Sequence, residues 1–315
     1  MEKNMKKYLL LFLLLLPCLA TAGNIEIVVP FPPGGATDTL GRIAAQALSE
    51  SGDNAIVLNK PGANNVIAAN YVAHARKDGN TLFVGATGAL DANLVYGVPD
   101  MNYNEHSFAP IIKLGTISYV LVVPIDSLIH DYQDYVRYVR AYPDKFVVGF
   151  WNANTANVFY AWANKEHLPR PTIVIYKGSG PEMLDLLGNH IFSTWDTWLK
   201  TKPLVESKKV RVIAVLDSAG LHDVQTAEPN VQVFSVGKKY PDLDMQVWYG
   251  LWAPAGTDSA RLEHLNAILN KAFSKKEYKD KFQKLTVGNY GGTAKELLDL
   301  RNKNLGILKN IKNNK

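Results

Sequence analysis

The sequence is nearly devoid of cysteine: Cys18 is the only one among 315 residues. That excludes a disulfide framework and any multi-cysteine zinc or iron–sulfur site. There is no long run of one charge either. The net charge is +5, with 34 basic and 29 acidic residues spread along the chain, so no nucleic-acid partner is implied. The apolar run at residues 9–16 is too short for a membrane-spanning helix, which needs about 20 residues. Catalytic motifs are missing too. No P-loop, G-x-G-x-x-G or G-x-S-x-G elbow occurs. The seven histidines (His74, His106, His130, His167, His190, His222 and His264) show no metal-ligand spacing. No catalytic residue, metal or cofactor is therefore expected.

What is present is ordinary globular composition, 47% hydrophobic, 10% aromatic and 20% charged, long enough for two domains. Residues 1–22 have the pattern of a secretory signal. Lys3, Lys6 and Lys7 precede the apolar run, and Ala20-Thr21-Ala22 supplies small residues for cleavage after Ala22. Cleavage removes Cys18, and Pro17 before it argues against a lipidated cysteine. A periplasmic or secreted protein is expected.

Beyond the signal, short apolar runs alternate with helical periodicity. Residues 25–30, 55–58, 81–85, 146–150, 172–176, 191–195 and 210–216 read as strands. Leu40, Ile43, Ala44, Ala47 and Leu48 mark one helix face, and 66–75, 156–164 and 181–187 are further helices. A capping box, Thr293 with Glu296, opens the last helix. Residues 217–243 read as a long loop. The pattern predicts an α/β fold with parallel sheets. The apolar runs 119–124 and 247–254 look like crossings between two lobes. The expected division is 23–123 plus 250–315 for lobe I and 124–249 for lobe II.

The most informative segment is Val29-Pro30-Phe31-Pro32-Pro33-Gly34-Gly35-Ala36-Thr37-Asp38. A strand ends, prolines stiffen the turn, and two glycines open a helix whose N-terminus favours an anion. Thr37 and Asp38 read equally well as caps of that helix. Residues 85–89, 149–155 and 176–181 sit in the same position after other strands, so four loops would meet at one crevice. Asp196 either faces that crevice or caps the next helix. Lys177 either meets an anion or lies at the surface.

The motif at 28–38 with Arg42 closely resembles the opening of the Bug family, the extracytoplasmic substrate-binding receptors of tripartite tricarboxylate transporters. The resemblance continues through Asn59-Lys60-Pro61-Gly62-Ala63, Asp78-Gly79-Asn80-Thr81-Leu82, Tyr176-Lys177-Gly178-Ser179-Gly180-Pro181 and Trp248-Tyr249-Gly250-Leu251-Trp252-Ala253-Pro254, in order over residues 24–310. It implies a two-lobed periplasmic-binding-protein (Venus flytrap) fold that closes on a small organic carboxylate and delivers it to an integral membrane permease. It also implies that Pro33, Gly34, Gly35, Ala36, Thr37 and Asp38 hold a carboxylate, largely through backbone N–H groups and ordered waters; Phe31 beside them is a further expected ligand contact. Thr87 and Gly88 would line the same lobe, and Thr155, Gly178 and Asp196 the other.

The chain also departs from the family pattern. Asn152-Ala153-Asn154-Thr155 stands where relatives usually have Gly-x-Gly-Ser, Val158 stands at a usual histidine, and 86–96 is one residue short. Trp151, Asn152, Asn154, Tyr176 and Trp195 are therefore added as expected ligand contacts. Asp38 and Asp91 would meet an ammonium group or cap helices. The ligand is expected to carry polar or aromatic groups beyond its carboxylate. Two other functions fit the same chain: a ligand-presenting sensory receptor, and a hydrolase using Ser179 or Asp196.

Overall fold

The strand–helix alternation resolves into two sheets. The structure, a computed structural model, describes residues 24–151, 153–176 and 178–314, with the backbone alone for 89 and 153–155. The signal segment and its cleavage site, Asn152 and Lys177 lie outside the described residues, as do the side chains of Asn154 and Thr155.

The first part of the chain runs β1 (Asn24–Val29), α1 (Ala36–Ser49), β2 (Asn54–Asn59), α2 (Val66–Ala73) and β3 (Thr81–Ala86). A π-helical turn (Thr87–Asp91) leads into α3 (Ala92–Tyr96), followed by β4 (Phe108–Ile117). Then come β5 (Tyr119–Pro124), α4 (Tyr132–Ala141), β6 (Val147–Phe150), α5 (Ala153–Lys165), β7 (Thr172–Ile175), α6 (Ser179–Leu187), β8 (Ser193–Thr197) and α7 (Trp198–Glu206). The rest is β9 (Val210–Val215), α8 (Leu221–Ala227), β10 (Phe234–Ser235), α9 (Val236–Lys239), β11 (Val247–Pro254), α10 (Ser259–Phe273), α11 (Lys276–Lys284) and α12 (Ala294–Asn313). The segment expected to be a loop, 217–243, thus holds α8, β10 and α9. These elements are too short to show a period. β4, α7 and α11 are additions that the apolar pattern did not mark.

The sheet orders are β2-β1-β3-β11-β4 and β10-β9-β5-β8-β6-β7. Neither sheet is wholly parallel, contrary to expectation. β11 runs antiparallel to β3 and β4, and β5 antiparallel to β8 and β9. The reason is geometric. The chain leaves each sheet at the end where the other strands finish and enters the facing sheet at the same edge. The arriving strand must then run against its new neighbours. The crossings also differ from the expected ones. All of β5 bonds within the second sheet, and Val247 already pairs with Ile117 in the first. The chain therefore passes over at Ser118 and returns before Val247, rather than at 123/124 and 249/250.

Two local features position the site. The apolar face of α1 is buried as its spacing predicts, with Leu40, Ala44, Ala47 and Leu48 almost fully covered. Each such aliphatic side chain larger than alanine contributes about 1.5–3 kcal/mol. At Gly41 the helix presses against β1, where a Cβ would lie 2.9 Å from Val29 Cγ2. This fixes the N-terminus of α1 at the end of the sheet. At the other terminus of the chain, the capping box forms as expected: Glu296 N–H donates to Thr293 Oγ1 at 3.2 Å, and Thr293 N–H to Glu296 Oε2 at 3.2 Å. It starts α12, which packs back on β4 and on the π-helical turn.

Candidate functional site

After β1 the prolines carry the chain to Gly34, whose φ of +91° suits glycine. Gly35 is extended and opens α1 without any side-chain cap. The first-turn N–H groups, which have no acceptor within the helix, are left for a ligand. Asp38 does not join them. Its carboxylate turns back and accepts from Gly34 N–H at 2.9 Å, Asn59 Nδ2 at 2.9 Å, and Arg42 Nε and Nη2 at 2.9 and 3.1 Å. Burial pushes its pKa up, but these donors and the Arg42 charge outweigh that and leave it below the ordinary value. Asp38 braces the loop instead of contacting the cleft.

The facing lobe repeats the arrangement. Gly178, with φ of +124°, precedes α6, which also has no side-chain cap. The Ser179 hydroxyl donates to Asp196 Oδ2. Asp196 Oδ1 accepts from Thr197 N–H at 2.6 Å and from the Thr197 hydroxyl at 3.3 Å. Asp196 therefore borders the crevice, and Thr197 is the residue at the N-cap of α7. Burial raises Asp196 to about 6, against the pull of these donors and of Lys200.

Beneath it, Glu182 is wholly buried, and burial and the nearby Asp196 charge raise its pKa well above the ordinary value. The geometry agrees. The Thr194 hydroxyl lies against both Glu182 Oε1 and the Gly149 carbonyl, 3.0 Å away. It has one hydrogen. Given to Gly149, that hydrogen leaves a protonated Glu182 to donate to Thr194.

Between the lobes lies a cleft of about 300 Å³. Residues 31–37 form one wall, 178–181 with Asp196 and Thr197 the other, and Trp151, Lys200 and Tyr249 complete it. Lys200 Nζ reaches across to the Gly34 carbonyl at 3.4 Å. Deeper in, Thr87 and Gly88 join Phe31, Trp151, Tyr119 and Tyr249 around a space of about 30 Å³. Trp151 stands edge-on to Phe31 at 6.1 Å and stacked on Tyr119 at 6.4 Å, tying the two lobes through aromatic rings.

The structure thus brings together Phe31, Pro33, Gly34, Gly35, Ala36, Thr37, Thr87, Gly88, Trp151, Gly178 and Asp196. Two other expected contacts face elsewhere, and a third lies deeper in. Asp38 is held by its own loop. The Tyr176 hydroxyl donates to Asp185 at 2.7 Å. Trp195 packs on Trp162 at 5.8 Å and lines a small apolar space beyond the outer cleft. Nor is Asp91 open to an ammonium group. It is fully buried, with Arg301 Nε at 3.1 Å and Trp248 Nε1 at 3.0 Å. Sequence reasoning missed Tyr119, Tyr249, Thr197 and Lys200. The two tyrosines were nonetheless visible as the polar aromatics near the start of the two crossing runs.

Comparison with known proteins places this geometry. Residues 40–313 match the family model described as the tripartite tricarboxylate transporter family receptor. A Pseudomonas sp. (strain P51) protein from the tcbD-tcbE intergenic region is 31% identical over 283 residues, covering 88% of this chain and 81% of its own. Protein BugT of Bordetella pertussis is 28% identical, with coverage of 83% and 79%. Among solved structures, an R. palustris protein with adipate superposes with a TM-score of 0.79 at 24% identity, covering 93% and 97% of the two chains. MatC from Rhodopseudomonas palustris with bound malate gives 0.76 at 23% identity, covering 91% and 98%.

Proposed function

The chain belongs to the tripartite tricarboxylate transporter receptor family, and from that premise we propose that it captures a small organic carboxylate between its lobes and hands it to the membrane components of such a transporter. One observation carries the reading. The N-termini of α1 and α6, from opposite lobes and both without side-chain caps, open on the same cleft. Each presents free N–H groups and about half a positive charge. A carboxylate at residues 33–37 that also touches 178–180 or Asp196 bridges the lobes. It gains those second contacts only when the lobes are closed, so it shifts the population toward closure. Lys200 adds a cation at the rim. Asn152, Asn154 and Thr155 complete the proposed contacts. The adipate and malate carried by the two solved relatives support the ligand class.

Export fits this role, with residues 1–22 removed after Ala22. No helix among the described residues is long and apolar enough to cross a membrane.

The test is a melting screen of mono-, di- and tricarboxylates. A true ligand at about 100 times its Kd adds about 2.7 kcal/mol of stability, a shift of several degrees. The ligand should be recovered unchanged, and deleting the gene should abolish its uptake. A broad panel without any shift, or chemical turnover of the bound compound, overturns the reading.

A further inference from the structure

Two smaller spaces adjoin the anion-binding cleft. The space at Thr87 and Gly88 shares Tyr119, Val158 and Met245 with a third space of about 20 Å³. That inner end is walled almost wholly by carbon, with Trp195 on one side. The Trp195 side chain is nine-tenths buried or more, and its indole N–H has no partner among the described residues. The Trp151 indole N–H, at the throat, is likewise buried without one. A buried donor without an acceptor is disfavoured, and an acceptor brought by a ligand would complete it.

Charge sets the nature of that acceptor. The cation bordering the cleft, Lys200, belongs to the outer space and not to the two inner ones. A carboxylate pushed to the inner end would be buried with no counter-ion among the lining residues. Size sets the shape: spaces of about 20–30 Å³ admit a few heavy atoms and no branched or bulky group.

We propose that this receptor selects a monocarboxylate with a slim apolar body that ends in an uncharged hydrogen-bond acceptor, the acceptor meeting the Trp195 N–H. The inference rests on the receptor reading above and deepens it. The carboxylate sits at residues 33–37, the body passes Trp151 and Tyr119, and the far end lies among Val158, Met245 and Trp195.

Three six-carbon probes of nearly equal length separate the possibilities: 5-oxohexanoate carries a neutral acceptor, hexanoate none, and adipate a second charge. Calorimetry should rank 5-oxohexanoate first, about tenfold or more over adipate. Trp195→Phe keeps the ring shape and removes the N–H. It should erase the advantage of 5-oxohexanoate over hexanoate and leave hexanoate itself within about twofold. Val158→Phe, which fills the inner end, should weaken both monocarboxylates. Adipate binding as tightly as 5-oxohexanoate, or a Trp195→Phe protein with unchanged preferences, overturns the inference and leaves the receptor reading intact. Binding of none of the three at millimolar concentration also overturns it. The receptor reading falls as well only if citrate, succinate and benzoate fail too.

Discussion

Arg301 and Asp91 form an ion pair sealed from solvent, with Nε 3.1 Å from Oδ1 and the two side chains 2% and 0% exposed. The pair joins α12 to the last residue of the π-helical turn that presents Thr87 and Gly88 to the cleft. Arg301 also donates to the Glu105 carbonyl at 2.9 Å and lies over the Trp252 ring, while Asp91 accepts from Trp248. The C-terminal helix thereby holds a ligand loop more than 200 residues away in sequence.

Removing one partner leaves a buried charge alone. Arg301→Met should destabilise by about 3–5 kcal/mol. A double change, Arg301→Met with Asp91→Leu, should recover much of that loss, because no unpaired charge remains. Urea denaturation of the three variants checks this. A double variant no more stable than the single would show that the packing around the pair matters more than its charge.

Gly35 has an ordinary extended backbone, φ −81° and ψ 172°, and a Cβ there meets nothing within 4 Å. Gly35→Val should therefore fold with a stability change below about 1 kcal/mol. Its side chain would project into the cleft beside the free N–H groups, so affinity for the ligand should fall about tenfold or more. Titration calorimetry beside a melting curve separates the two effects. Wild-type affinity in the folded variant would show that this loop is only a turn.

Lys200 spans the cleft from α7 to the Gly34 carbonyl. The contact is exposed, so Lys200→Met should change stability by no more than about 1 kcal/mol. It should weaken carboxylate binding about five- to tenfold, chiefly through faster release, because the closed form loses a cross-lobe contact. Stopped-flow tryptophan fluorescence reads that rate. An unchanged release rate would remove Lys200 from the closing mechanism.

The buried acids make stability depend on pH in a definite sense. Burial raises Asp196 from 3.8 to about 6, and it raises Glu182 and Asp217 as well. A raised folded pKa means the folded state holds protons that the unfolded chain releases. Stability from these groups is full below about pH 4 and declines as pH rises through about 6. Asp38 and Glu166, whose pKa values are lowered, act oppositely, but only below their ordinary values near 4. The melting temperature should therefore fall between pH 5 and pH 8. Glu182→Gln, neutral at every pH, should flatten that slope; an identical slope in the variant would show that Glu182 is ionised throughout.

The loop at 33–38 was legible because its determinants are local. Prolines, a glycine at positive φ and the periodic face of α1 act within about twenty residues, and short-range sterics decide them. The strand–helix alternation and the Thr293–Glu296 capping box were legible for the same reason.

What the sequence left open was direction. Trp195 and Asp196 both looked like cleft residues, yet neighbours in a strand point to opposite faces. The pairing of β8 with β5 puts Trp195 opposite Leu121 and Asp196 opposite Val120, on opposite faces, so that the acid borders the outer cleft and the indole the apolar space behind it. Asp38 is turned away by Asn59, which arrives from β2, and Asp91 is claimed by an arginine from the last helix. Tyr119 and Tyr249 reach the site because the chain crosses between sheets just beside them, an event set by long-range strand pairing. Local sterics thus determined which loops could bind an anion. Register and crossing points, fixed only when distant strands meet, determined which side chains accompany those loops.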